Sequence, residues 1–542
     1  MTPAAAWLCW ASLLLLARWS QPCPGGCDCF VHKVFCADEK LAAIPPDIPP
    51  DATDLVFVET EFTEVAPRAF SGSPNLTKVV FLNTQLQRFR PDAFAGLRRL
   101  QDLEVTGSNF SLSGDTFVNL TSLGQITLSF DKLHALPEDL FHGLDVLESL
   151  QLQGNQLQTL PRGIFQPLRH LKSLNLEQNR LEWLPEGLLD PLSCLRSLRL
   201  SDNKLSQGLP RGTFAALRSL EELFLDSNAI CELPPELFSG LSRLERLWLQ
   251  HNAISHLPPT VFSDLGSLTS LSLQGNALRT LPAGLFAHTP HLLSLSLSHN
   301  QLASVVEGAF ANLSSLASLT LSHNAIVRLP AGVFRGLQGL VKLYLGSNNL
   351  TALPAGLFYN LSSLQLLNLS RNQLSSLPEG LFNTNYNLFN LALHGNPWQC
   401  DCHLAWLSSW LRLWSDQLLH TRTYCAGPAH LRGQAVPALN EEQLVCAASG
   451  HPGLDHKAAE GGWDAVPENK AARSRCTYSN AEGTVVLACE AGQCRWLSVQ
   501  LSPRQGAGFQ AMTYNASQGW DLRSSCGSVR VTVSVGDLAA GP

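Results

Sequence analysis

Leucine recurs along most of this chain in one spacing, L-x-x-L-x-L-x-x-N-x-L, whose Asn forms a ladder at 155, 179, 203, 228, 252, 276, 300, 324, 348, 372 and 396. The interval is 24 residues, broken once by 25. Continued backwards, the same frame puts Asp131, Ser108, Thr84 and Thr60 in the Asn position, which gives fifteen units. Each unit goes on as L-P-x-x-x-F-x-x-L-x-x-L, with Phe at 70, 94, 117, 141, 165, 214, 238, 262, 286, 310, 334, 358 and 382 and Leu189 in its place once. The alternating L-x-L core predicts a short strand with every second side chain inward, and successive strands would stack in parallel at about 4.8 Å.

This pattern is that of the leucine-rich repeat, in its longer 24-residue extracellular variety, and a period of this size means a solenoid. The fold class expected is an α/β-type leucine-rich-repeat solenoid: a curved, parallel concave β-sheet, a mostly irregular convex side, disulfide caps and a small C-terminal β-domain. No single unit can bury its own Leu, so stability is shared between neighbours. The Asn amide can donate to and accept from backbone groups of adjacent coils that would otherwise be buried unpaired. Thr, Ser and Asp do this less completely, so the first four coils are expected to be less regular than the rest.

Both ends of such a stack would expose Leu and open strand edges, and cysteine clusters stand at both. Cys23, Cys27, Cys29 and Cys36 form C-P-x-x-C-x-C-x6-C, which resembles the N-terminal cap of the family; N-P-W-x-C-D-C from Asn396, continued to Cys425 and Cys446, resembles its C-terminal cap. The resemblance implies Cys23 with Cys29, Cys27 with Cys36, Cys400 with Cys425 and Cys402 with Cys446. Zinc on Cys400, Cys402 and His403 is the competing reading, disfavoured directly after the last repeat of a secreted chain. Cys194 and Cys231 lie inside the array, one before the first strand Leu and the other after the last, at opposite edges of the coil and one coil apart. They should therefore not pair with each other.

Composition sharpens the picture. Charged residues are 15% of the 542-residue chain, against roughly 25% in average soluble proteins. Net charge is −7 without a Lys/Arg cluster, so nucleic acid is an unlikely partner. Residues 1–21 carry an apolar run from Ala4 to Ala17 that is too short to span a bilayer and reads as a cleaved signal peptide, cut near Ser20 to Pro22. With no other long apolar run, no membrane partner is expected. Removing Cys9 with the leader leaves fourteen of fifteen cysteines, an even number that suits an oxidising compartment. The organisation expected is a signal peptide (1–21), N-terminal cap (22–51), repeats (52–395), C-terminal cap (396–446), a Gly/Ala-rich linker (447–475) and a small β-domain (476–542). That last piece contains TVVLAC, RWLSVQL and VRVTVSV as strands, and Cys476, Cys489, Cys494 and Cys526 as two disulfides whose pairing the sequence leaves open.

Chemistry-bearing motifs are missing: there is no H-E-x-x-H, G-x-S-x-G, phosphate loop or G-x-G-x-x-G, so no catalytic residue, cofactor or metal is expected. His251, His299 and His323 recur just before the ladder Asn. On adjacent coils, His299 and His323 could touch as a metal or pH-sensing pair; the plainer reading is a polar exposed position where His is tolerated. Glycosylation sequons stand at Asn75, Asn109, Asn119, Asn312, Asn349, Asn360, Asn368 and Asn515. Asn368 falls between two strand Leu residues, facing the concave side.

The concave face is the natural docking surface of a solenoid. Its central column reads Gln151, Asn175, Arg199, Phe224, Trp248, Ser272, Ser296, Thr320, Tyr344 and Asn368. Phe224 and Trp248 stand side by side in a polar column, with Glu222, Asp226, Glu245, Arg246 and Gln250 around them. Aromatic anchors in a polar rim are the usual make-up of an interface hot spot, so Glu222, Phe224, Asp226, Arg246, Trp248 and Gln250 are the expected partner site. The alternative is that neighbouring aromatics simply stack on one another.

Beyond the repeats, QPCPGGCDCF, FVETEFTEV, NLTKVVFLNTQL, TNYNLFNLALHGNPWQCDCHLAW, YCAGPAHLRGQAVPALNEEQLVC, CTYSNAEGTVVLAC, QCRWLSVQLSP and DLRSSCGS together resemble the regulatory leucine-rich-repeat subunits of carboxypeptidase N. That resemblance implies a secreted, glycosylated plasma protein without catalysis of its own. Its partner would be the catalytic subunit of carboxypeptidase N, a zinc enzyme that trims C-terminal Lys and Arg, in a hetero-oligomer with two of each. The other class of function open to such a chain is a secreted decoy or matrix ligand binder that works without an enzyme.

Overall fold

A computed structural model describes residues 23–414 and 422–446, together with the strands lying between 476 and 534. The expected leader, the linker 447–475, Asn515, Cys494 and Cys526 lie outside the described residues. The chain divides into two units, 1–449 and 450–542.

The first unit is a leucine-rich-repeat solenoid. A hairpin, Cys27–Phe30 with Lys33–Cys36, opens it, and Lys33–Cys36 pairs in parallel with the first repeat strand, Asp54–Val58. Fifteen repeat strands follow in one parallel sheet, ending at Asn390–Ala392. Their register is strict: Leu198 faces Leu223, which faces Leu247, which faces Leu271. These Leu are fully buried, as is the Phe of nearly every unit. From Phe214 to Phe382 the Phe rings form a stack at about 6 Å between centroids, for example 6.2 Å for Phe214 and Phe238 and 6.1 Å for Phe358 and Phe382. Trp410, on the helix Ala405–Leu413, closes that stack at 5.0 Å from Phe382. Disulfides join Cys23 with Cys29 and Cys27 with Cys36 at one end, and Cys400 with Cys425 and Cys402 with Cys446 at the other.

Strand length varies in a way the repeat alone does not foretell. The first four repeat strands have five residues each, and the other eleven have three. The Asn ladder explains the change. Asn179 donates from Nδ2 to the Leu152 carbonyl of the preceding coil (2.9 Å) and to its own Leu176 carbonyl (3.1 Å), while its Oδ1 accepts from Leu157 N–H (3.1 Å). The same set recurs at Asn203, Asn276, Asn300 and Asn372. Carbonyls that would continue the strand ladder are thus taken by a side chain, and the strand stops. Thr60, Thr84, Ser108 and Asp131 lack an NH₂ donor, so backbone pairing runs on for two more residues. The strand Gln125–Ser129 shows both cases. It pairs over its whole length with Asp102–Thr106, but only as far as Thr127 with the next strand, where Asn155 reaches the Leu128 carbonyl at 2.7 Å. The first four coils do differ from the rest, and the difference is more strand rather than less order.

The second unit contains a three-stranded antiparallel sheet of Cys476–Ala481, Thr484–Cys489 and Val529–Ser534, and a pair formed by Leu497–Val499 and Met512–Tyr514. Its register sets Cys476 opposite Cys489. The strands at 476–481 and 512–514 carry no alternation strong enough to be read from sequence.

Asp131 is the one acid in the ladder, and it is fully buried. Its Oδ1 accepts from Ser108 N–H at 2.9 Å, but Oδ2, standing where Asn has its NH₂, has no partner. Burial pushes the carboxyl up to about 8, against the pull of the Ser108 and Gly107 amides. With the folded pKa above the unfolded one, the folded state holds a proton that the unfolded state has lost. Stability therefore falls as pH rises from about 4 towards about 8. Asp131→Asn should remove that slope, adding on the order of 5 kcal/mol more at pH 8 than at pH 4. Thermal midpoints of the two proteins across that pH range check this; parallel curves would contradict it.

Candidate functional site: the concave column

Alternation places the residue between two core Leu on the outer, concave face. In the seventh to ninth coils this column reads Arg199, Phe224 and Trp248, in direct cross-strand register. The rings of Phe224 and Trp248 lie nearly parallel, 6.0 Å apart at 11°. The Arg199 guanidinium sits 4.3 Å over the other face of Phe224. The result is a cation on two stacked rings, spaced by the sheet itself. Phe224 and Trp248 are half-buried, so neither fills the Leu core and both present apolar area outward.

The rim is paired within itself. Glu222 and Arg246 approach to 2.9 Å across adjacent strands, and Glu177 holds Arg199 at 3.4 Å. Ser201 donates to Asp226 at 2.6 Å. Glu222, Phe224, Arg246 and Trp248 are thus brought together, with Asp226 tied to the seventh coil. Trp248 Nε1 and Gln250 Oε1 are both shut off from solvent and without a partner, although one is a donor and the other an acceptor in the same coil. Sequence reading placed Arg199 in the column but missed it and Glu177 as members of the site; the frame gives Arg199 its position beside Phe224 and not the contact with the ring. It also began the column too late. Continued to the N-terminus, the column runs Phe35, Val56 and Val80, flanked by a ladder in which Lys33 meets Asp54 at 3.3 Å and Lys78 meets Asp102 at 2.6 Å.

His299 and His323 are stacked at 4.1 Å and 8°. Burial, with the charges of His299 and Arg371, holds His323 below the usual imidazole range. Both sit in a left-handed backbone position, φ 54° and 55°, that recurs just before the ladder residue in every coil. At the C-terminal cap, Cys402, His403 and Cys446 gather closely enough for a metal. Since Cys402 and Cys446 are joined to each other, their sulfurs are not thiolates, and this set does not fit zinc. Asn109, Asn119, Asn312, Asn349 and Asn360 are exposed, while Asn75 and Asn368 are half-buried.

The fold and its outward column define a leucine-rich-repeat scaffold, which is not a catalytic fold. The leucine-rich-repeat family profile matches residues 145–205 and then, in overlapping windows, 207–397. Among known proteins, human carboxypeptidase N subunit 2 is 66% identical over 166 residues, and its mouse counterpart 64%. Each match spans 30% of this chain and 30% of the relative's own length. Among solved structures, a TLR13–ssRNA13 complex superposes with a TM-score of 0.63 at 27% identity, covering 69% of this chain and 55% of that one. A leucine-rich-repeat protein of Leptospira interrogans gives 0.58 at 30%, covering 66% and 88%.

Cys194 and Cys231 are exposed and unpaired. Both should react with a maleimide on the folded, unreduced protein, adding two labels; a Cys194–Cys231 peptide in a non-reducing digest would contradict the coil placement.

Proposed function

We propose that this chain is a secreted, glycosylated binding subunit that carries and stabilises a zinc carboxypeptidase catalytic subunit in plasma. The observation that carries the reading is the Arg199–Phe224–Trp248 stack, an outward apolar anchor in a rim where Glu222 pairs with Arg246 and Glu177 with Arg199. Such a patch suits a protein partner that buries rings, with the self-paired rim keeping the desolvation cost low. The similarity to carboxypeptidase N subunit 2 supplies the kind of partner. The disulfide caps suit an oxidising compartment, and among the described residues no helix is long and apolar enough to cross a membrane. The chemistry of trimming Lys and Arg belongs to the partner; this chain's part is to hold it. Fifteen strands at about 4.8 Å span about 70 Å of arc, wide enough for a globular enzyme of about 400 residues with a radius of gyration near 21 Å.

The test separates docking from folding. Phe224→Ala with Trp248→Ala removes outward apolar area and opens no cavity in the Leu core. It should leave secretion near normal and weaken capture of the catalytic subunit by on the order of 2 to 4 kcal/mol. Phe238→Ala, in the buried Phe stack, should instead cost on the order of 3 to 5 kcal/mol of stability and lower secretion. Normal secretion of the double variant with unchanged affinity would move the partner to another surface. Recovery of a growth factor or collagen in place of an enzyme would support a ligand-binding role instead.

A further inference from the structure

Asn175 and Asn368 hold the same place in the concave column, in the sixth and fourteenth coils. In each, the side-chain oxygen accepts from the backbone N–H two residues on, Glu177 in one and Ser370 in the other, both at 2.9 Å. Ser370 Oγ adds a second bond to Asn368 Oδ1 at 2.7 Å. With its oxygen held this way, Asn175 turns Nδ2 back over the preceding coil, where it donates to Gln153 Oε1 at 2.8 Å. The position equivalent to Gln153 in front of Asn368 is Gly346. A Cβ at Gly346 would come within 2.9 Å of Asn368 Oδ1 and 3.2 Å of Ser370 Oγ, so glycine is what lets Asn368 sit there. Asn368 Nδ2 has no partner among the described residues, and the side chain lies against Gly346 of the thirteenth coil. Asn368 also heads the sequon Asn-Leu-Ser.

The surface of the coils before Asn368 is built differently from the rest of the face. Tyr344 stands half-buried in the next column position. Beyond it the strands Ser318–Thr320, Ser294–Ser296 and Ser270–Ser272 carry no acidic or basic residue. Ser272 is only 7% exposed, and its hydroxyl makes no hydrogen bond within the described protein. The trough between Tyr344 and Trp248 is therefore neutral and lined with hydroxyls, with an aromatic ring at each end. Sugar rings match it: their hydroxyls both donate and accept, as Ser and Thr do, and their C–H faces lie flat on aromatic rings.

We propose that Asn368 carries an N-linked glycan which runs back along the concave face, resting on Tyr344 and held by the hydroxyls of Thr320 and Ser296. Attachment replaces one Nδ2–H by a bond to the anomeric carbon of a lipid-diphosphate sugar donor of the secretory path. The donor's C–O bond breaks, and the proton leaves with the diphosphate. The glycan then covers the C-terminal part of the concave face and leaves the Arg199–Phe224–Trp248 stack open. This inference stands apart from the identity of any partner.

The test uses the full chain secreted from mammalian cells. Peptide-N-glycosidase release is followed at 368 and at the exposed Asn360 by glycopeptide mass spectrometry, on native and on denatured protein. Site 368 should be occupied and released about tenfold more slowly than site 360 from the native protein, and at the same rate after denaturation. Tyr344→Ala should abolish most of that protection. An unoccupied Asn368, or equal native release at the two sites, overturns the proposal on the unaltered chain, whatever the variant does. Full protection in a well-secreted Tyr344→Ala protein overturns the placement on Tyr344.

Discussion

The structure depends on how the backbone polar groups at the strand ends are paired once the coils stack. In a solenoid every coil buries peptide groups of its neighbours, and an unpaired buried carbonyl costs as much as a lost hydrogen bond or more. One Asn amide per coil solves this for two coils at once, since Nδ2 serves the carbonyls of Leu176 and Leu152 and Oδ1 serves Leu157 N–H in the case of Asn179. Strand length follows from the same bond. Three-residue strands are what remains when the amide takes the next carbonyl, and five-residue strands are what forms where Thr60, Thr84, Ser108 or Asp131 stands in place of Asn and brings no NH₂ to that carbonyl.

A second constraint acts one residue earlier. To bring the ladder side chain inward directly after the strand, the chain passes through a left-handed residue in each coil, filled by Gly at 107, 154, 275 and 395 and by other residues elsewhere. Asn, Asp and His tolerate that region better than most side chains, which is why Asn83, Asp202, His251, His299 and His323 appear there. Their side chains lean over the next coil. A Cβ at Gly275 would come 2.6 Å from His251 Nδ1, so the residue after a long side chain in this column is often glycine. The His299 and His323 stack at 4.1 Å is the same lean with imidazole on both coils.

These constraints explain what the sequence discloses and what it hides. Leu, Phe, ladder Asn and cap cysteines are legible because each is tied to a fixed phase of a 24-residue period, and one aligned frame reveals them all. The longer strands at 54–58 to 125–129 were hidden because a missing Asn reads as a weakened repeat, whereas the backbone compensates by pairing further. The aromatic pair was legible from the alternation of L-x-L. Arg199 over Phe224 was not, since a lone Arg in a polar column looks solvated until the register brings its guanidinium to 4.3 Å from the ring. The orphaned Trp248 Nε1 and Gln250 Oε1 depend on rotamers and could not be read at all.

The 25-residue interval shows why the outward surface can change without disturbing the scaffold. The extra residue falls between Asn203 and Asn228, on the approach to the coil that carries Phe224. Gly208, in left-handed backbone at φ 81°, lies in the stretch that absorbs it outside the sheet. The register on either side is untouched: Leu198 still faces Leu223, and Arg199 still faces Phe224. An insertion on the convex return can therefore alter one rim while the column stays aligned. The core Leu and the outward column share a strand but not a face, so an outward residue can change without opening the Leu core. Phe224 and Trp248 stand on that outward face, stacked on each other at 6.0 Å with the Arg199 guanidinium 4.3 Å from the Phe224 ring centre.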